Sequence, residues 1–111
     1  MDYQLPEFIK KLPRANIPLE GVTGYLLPSK HGQAVFFEIE PIGEIPEHSH
    51  GAQWGIVLAG SMALKIEGNE KNLKSGDSYY IPAGAAHSAK ILSKSVVLDF
   101  FADPDRYQAM E

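Results

Sequence analysis

The chain has 111 residues, a mass of 12.2 kDa and a formal net charge of −4 at pH 7, which suits one domain with one core and offers no basic face for nucleic acid. Cysteine is absent, so disulfides and thiolate metal sites are excluded and histidine remains as the strong nitrogen ligand. No run approaches the roughly 20 apolar residues of a membrane span, and the charged first residues lack the apolar centre of a signal peptide, so the expected compartment is the cytoplasm.

In chain order, residues 1–20 read as an arm broken by Pro6, Pro13 and Pro18. Leu5, Phe8, Ile9 and Leu12 recur at spacings of three and four, the pattern of a short helical turn. This apolar arm would cover either its own sheet or that of a partner subunit. A first strand is expected over Val22 to Leu27, and Pro28 to Gly32 turns the chain, with His31 in the turn. Gln33 to Glu40 alternates. Val35, Phe37 and Ile39 share one face, while Ala34, Phe36 and Glu38 share the other, which is the exposed or interface side. Pro41 and Gly43 interrupt the pattern before a strand that carries His48 and His50.

Gln53 to Ala59 is a near-continuous apolar run, suited to a strand covered on both faces. Alternation puts Trp54 opposite Gln53, as a core or interface aromatic or a stacking surface for a ligand. In Ser61 to Glu67, Met62, Leu64 and Ile66 point inward, and Ala63, Lys65 and Glu67 outward. Gly68-Asn69 then reads as a two-residue hairpin turn. Further strands are expected at Ser78 to Ile81, His87 to Leu92 and Ser95 to Ala102. Asp103 and Pro104 would open a short helical tail, as an acidic N-cap followed by proline at the first helical position. Short strands between regular turn signals, with no long helix, indicate an all-β sandwich or barrel over residues 21–102, flanked by the arm and a tail at 103–111.

Residues two apart in extended chain face the same way, so an extended His48-Ser49-His50 sets both imidazoles on one side. Gln53 follows with a carbonyl oxygen, and His87 comes from a distant strand. Two imidazoles from one strand and one from another form a metal-site pattern. A turn or bulge at Gly51 is needed to bring Gln53 to the histidine face, and glycine permits one. Glu44 and Glu47 flank the histidines, and alternation turns Glu47 away. Asp99 interrupts the apolar run from Val96 to Phe101. Burial there would raise its pKa towards a value useful for proton transfer; the alternative is a carboxylate facing solvent or paired with a nearby Lys or Arg. Arg106 and Tyr107 either lie over the pocket mouth or cap the barrel.

These segments resemble the cupin superfamily. The family's first motif is filled by Gly43, His48, His50, Gln53 and Gly60, and its second by Gly76, Pro82, Gly84 and His87. The first motif departs from the family's spacing: Gly43 to His48 is one residue short, and two residues instead of three or four separate His50 from Gln53. Gln53 stands where the family usually has Glu, and Ile91 where it has Asn. The resemblance spans roughly residues 35 to 100 and implies a double-stranded β-helix, a jelly-roll barrel. It implies a divalent transition metal ion (Zn, Ni, Fe, Mn or Cu) held by His48, His50, Gln53 and His87. These ligands are all neutral, so weaker affinity is expected than in Glu-bearing relatives.

Open coordination positions would admit a small molecule for Lewis-acid chemistry. Small single-domain cupins with His, His, Gln and His resemble those that tautomerise or ring-open unsaturated uronates. Those carry an Asp and an Arg near the C-terminus, and Asp99 and Arg106 fall in comparable places. The implied function is isomerase-like or lyase-like action on a sugar or sugar acid. A metal-dependent dioxygenase and a non-enzymatic ligand-binding module are the alternatives, because this scaffold hosts many chemistries. The resemblance also implies a homodimer paired sheet to sheet, with Phe36, Trp54 and the arm as contact material.

Overall fold

β-Branched and aromatic runs separated by Gly and Pro become nine strands among the described residues, 3–41 and 44–110 of the computed structural model. Gly43, the opening glycine of the first motif, lies outside them. After a one-turn helix α1 (Glu7–Lys10) come β1 (Val22–Ser29), β2 (Gly32–Ile39), β3 (Glu44–His48), β4 (Gln53–Ala59), β5 (Ser61–Ile66), β6 (Asn69–Lys74), β7 (Ser78–Ile81), β8 (His87–Ile91) and β9 (Ser95–Phe101). They form two antiparallel sheets, ordered β1-β2-β9-β4-β7 and β3-β8-β5-β6. This is the expected all-β jelly-roll barrel. Val35, Phe37, Ile39, Val57 and Val97 of the larger sheet pack against Met62, Leu64, Ala89 and Ile91 of the smaller one.

Several expectations needed correction. β1 continues through Pro28 to Ser29 because it is an edge strand, where a missing N–H costs no ladder bond. Lys30 and His31 alone make the connection, and His31 is exposed. The β5–β6 hairpin turns on Glu67-Gly68, one residue earlier than expected, with Asn69 already paired to Ile66. Both loop residues have positive φ, 47° and 81°, as a type I′ turn requires. Ala63, expected outward, is buried, a small methyl on a central strand between Asn72 and Lys90 in register.

The arm covers its own sheet. Leu5, Ile9 and Leu12 pack on Tyr25, Phe36, Leu58 and Val96 on the outer face of the larger sheet. The tail is a turn rather than a helix. Arg106 N–H donates to the Asp103 carbonyl at 3.3 Å, and Asp103 Oδ2 accepts from Gly51 N–H at 2.9 Å instead of capping a helix. Arm and tail then bridge at Ala15 and Ala109. Gln33, buried on β2, fastens the tail. Its Nε2 donates to the Tyr107 carbonyl at 3.0 Å and its Oε1 accepts from Tyr107 N–H at 3.1 Å.

Candidate metal centre

β3 ends at His48 and β4, in the other sheet, begins at Gln53. The chain therefore changes sheets between the two residues, and this crossing, rather than a local bulge in one strand, is what turns Gln53 inward. Gly51 has no left-handed φ. It is needed because a Cβ there would lie 2.1 Å from Asp103 Oδ1. The bulge lies earlier. Ile45 pairs with Ala89 and His48 with His87, so three steps on β3 match two on β8. The extra residue lets Ile45 and His48, an odd number apart, both face the interior. His50 lies beyond the strand end, in the crossing, yet its ring still meets the other two.

His48, His50 and His87 converge, with ligand atoms all within 4.8 Å of one another. Ring centroids are 4.2 Å apart for His48–His87, 4.8 Å for His50–His87 and 5.2 Å for His48–His50. Each Nδ1 faces a backbone carbonyl: Pro46 at 2.8 Å, Gly51 at 2.8 Å and Ala85 at 2.9 Å. A carbonyl only accepts, so each Nδ1 carries the proton and each Nε2 presents a lone pair. The Nε2 atoms of His50 and His87 are buried with no partner. Burial lowers the pKa of both His48 and His50, helped by the charge of Arg106, so both rings are neutral at pH 7. Three imidazoles, each braced by a carbonyl at Nδ1 and converging through the other nitrogen, form a group that could hold a transition-metal ion.

Gln53 is buried at the start of β4 and its Oε1 has no partner. Its amide lies near enough to Asp99 to favour that carboxylate's charged form. Oε1 lies bare in the pocket that His48 and His87 also line. The three imidazoles could hold a divalent ion, and Gln53 adds an unpartnered amide oxygen to the same pocket. Glu47 is exposed, as alternation indicated.

Asp99 is buried inside the barrel and, among the described residues, makes no Lys or Arg pair. Burial raises its pKa to about 6, against the lowering effect of the Tyr79 hydroxyl and the Gln53 amide. Tyr79 was not recognisable as a site residue from sequence. Its position two before Ile81 on β7 shows that the two share a face, but only the register Tyr79–Gly55–Asp99 shows what it meets. Arg106 lies over the rings of Phe101 and Tyr107, at 5.5 and 4.3 Å from their centroids, and lines the same pocket. Its Nε is buried without a partner, and no ion pair among the described residues includes it.

The family pattern described as Cupin domain matches residues 35–101. Among proteins of curated function, no sequence relative matches. Solved structures do. KdgF from Halomonas sp. is 25% identical with a TM-score of 0.74, over 83% of this chain and 86% of that one. An RmlC-like cupin from Shewanella frigidimarina is 25% identical with a TM-score of 0.76, over 87% of each chain. Oxalate decarboxylase of Bacillus subtilis is 20% identical with a TM-score of 0.75. This chain spans 28% of that enzyme's length, so the likeness is one of fold.

Proposed function

The chain belongs to the Cupin domain family, and on that premise we propose that it binds a divalent transition metal through His48, His50, His87 and Gln53 and acts on a small carboxylate-bearing molecule by proton transfer, as isomerases and lyases do. Sugar acids fall within this class, and the resemblance to uronate-converting cupins makes them the first substrates to try. The observation that carries the reading is the trio of histidines with outward-braced Nδ1 atoms and converging Nε2 atoms.

The ion, when bound, would supply Lewis acidity towards a carbonyl or hydroxyl oxygen. Arg106, the cation of the pocket without a carboxylate partner, holds the substrate's anionic group. Asp99 takes or returns a proton at its carboxyl group, whose pKa near 6 suits transfer around neutral pH. Tyr79 steadies the ionised form by donating to Oδ1. The buried walls keep bulk water from the transferred proton.

The test is exchange of carbon-bound hydrogen for deuterium in a panel of uronates and simpler oxo- and hydroxy-carboxylates, followed by NMR with metal-loaded protein. Exchange that disappears in Asp99→Asn supports the reading. Exchange at the wild-type rate in Asp99→Asn contradicts it. A ligand that raises the melting temperature and is never converted would make the protein a binding module. Activity that vanishes without dioxygen would make it an oxygenase, although iron oxygenases commonly use a carboxylate ligand and Gln53 is not one.

A homodimer and a cytoplasmic location belong to the same proposal. Leu27, Phe100, Trp54 and Tyr80 are exposed and lie in one row across the outer face of the larger sheet. A second copy laid on this row would cover it. Light scattering on the eluting protein decides: twice the 12.2 kDa chain mass supports the dimer, and a single mass refutes it. Among the described residues, no helix is long and apolar enough to cross a membrane, and cell fractionation tests the compartment.

A further inference from the structure

The strand registers order the pocket wall into rows. At one end, His48 and His87 are paired on the smaller sheet, with Gln53 and Phe101 paired on the larger. His50 and Phe101, 5.3 Å apart by ring centroid, join the two sheets at this end. The next row of the larger sheet holds Asp99 and Tyr79, whose polar atoms satisfy each other. Beyond it the wall is mainly apolar, with Phe37 opposite Val97, then Ile39, facing Ile45, Leu64 and Met62; Tyr107 packs edge-on against Phe37, and the hydroxyl of Ser95, in register with Ile39, is spent on the Ser61 and Ser93 carbonyls. From the row of His87 to that of Met62, which pairs with Ile91, is four residues of β8, roughly 13 Å at about 3.3 Å per residue. The pocket, about 70 Å³ in volume, thus has a polar head at the histidines and Arg106 and an apolar slot leading from it into the core.

We propose that this slot selects a carboxylate with an apolar body, an alkyl chain or hydrocarbon ring, over a polyhydroxylated one. This rests on the function proposed above and narrows its substrate class. A hydroxyl carried into the apolar rows would lose its water and find no partner. A methylene there would leave water at no such cost, and each one buried tightens binding by about fourfold.

The experiment is calorimetric titration of zinc-loaded protein with acetate, butanoate, hexanoate and glucuronate, with zinc content measured in the same samples. The expected result is affinity that climbs from acetate to hexanoate by on the order of a hundredfold, with glucuronate no tighter than acetate. Ile45→Thr, which keeps a β-branched residue on the strand, should weaken hexanoate more than acetate. Affinity that is flat along the series, or glucuronate tighter than hexanoate, would overturn the inference and leave the metal reading standing. Protein that holds no zinc overturns the metal reading, while the chain-length series with Arg106 as the anchor still decides the inference.

Discussion

The Tyr79 hydroxyl donates to Asp99 Oδ1 at 2.5 Å across the strand between them, where the residue in register with both is Gly55. The bond forms inside the barrel, so the proton it shares is shielded from bulk water.

The Asp99 pKa raised from 3.8 to about 6 means that the folded protein holds this proton more tightly than the unfolded chain. Its contribution to stability is full below about pH 4 and is lost as pH rises through 6, up to roughly 3 kcal/mol in all. His48 and His50, with pKa values lowered by burial, act in the opposite sense. They add stability above 6.5 that is lost as pH falls through their folded values. Urea denaturation of metal-free protein should therefore show Asp99→Asn gaining on wild type as pH rises from 4 to 7. A difference independent of pH would contradict the assignment.

Tyr79→Phe removes the donor and leaves the carboxylate less well satisfied. The Asp99 pKa should climb further, and the protein should lose about 1–3 kcal/mol at neutral pH. Carbon-13 NMR titration of the Asp99 carboxyl reads the first effect and denaturation the second. An unchanged titration midpoint would mean that the hydroxyl does not touch the carboxylate in solution.

Gly55→Ala and Gly68→Ala separate two reasons for glycine. A Cβ at Gly55 would lie 2.0 Å from Asp99 Oδ1 and 2.4 Å from the Tyr79 hydroxyl, so the pair must part. The expected loss is about 1–3 kcal/mol from overpacking, together with a shift in the Asp99 titration. Gly68 has open space around it but a φ of 81°. Alanine there should cost roughly 1–2 kcal/mol through backbone strain alone and leave Asp99 titrating as before.

Gln33→Leu cuts the link between β2 and the tail. Stability should fall by about 1–3 kcal/mol because Tyr107 N–H and carbonyl lose their buried partners. Hydrogen exchange at Tyr107 should quicken far more than at Val97, in the barrel wall. Equal acceleration at both positions would show that Gln33 supports the whole barrel instead.

The strands were legible because alternation in runs such as Gln33 to Glu40 records which side chains meet the core, although in Ser61 to Ile66 it left out Ala63, which is buried as well. His48, His50 and His87 stood out for a different reason: imidazoles at fixed spacings from glycines and a proline have few other uses. Register was not legible. Nothing near Tyr79 in the chain points to Asp99, and nothing near Gln33 points to Tyr107. Such pairings depend on which strands become neighbours. The hairpin was misplaced by one residue because Gly68 serves as the second of two positive-φ positions, and the first is filled by Glu67, a residue that rarely adopts that backbone. Gly51 was correctly singled out for the wrong reason, since the close approach of Asp103 comes from the far end of the chain.

The function proposed for this site depends on three histidines, from β3, the crossing after it and β8, binding one metal ion. The direct measurement is metal content per chain after purification and dialysis against a zinc-containing buffer, with His87→Ala alongside. The wild type should retain close to one ion per chain and the variant should lose at least tenfold in affinity, with both proteins folded by circular dichroism. A folded wild type that retains no ion, or a His87→Ala protein that retains as much, would contradict it.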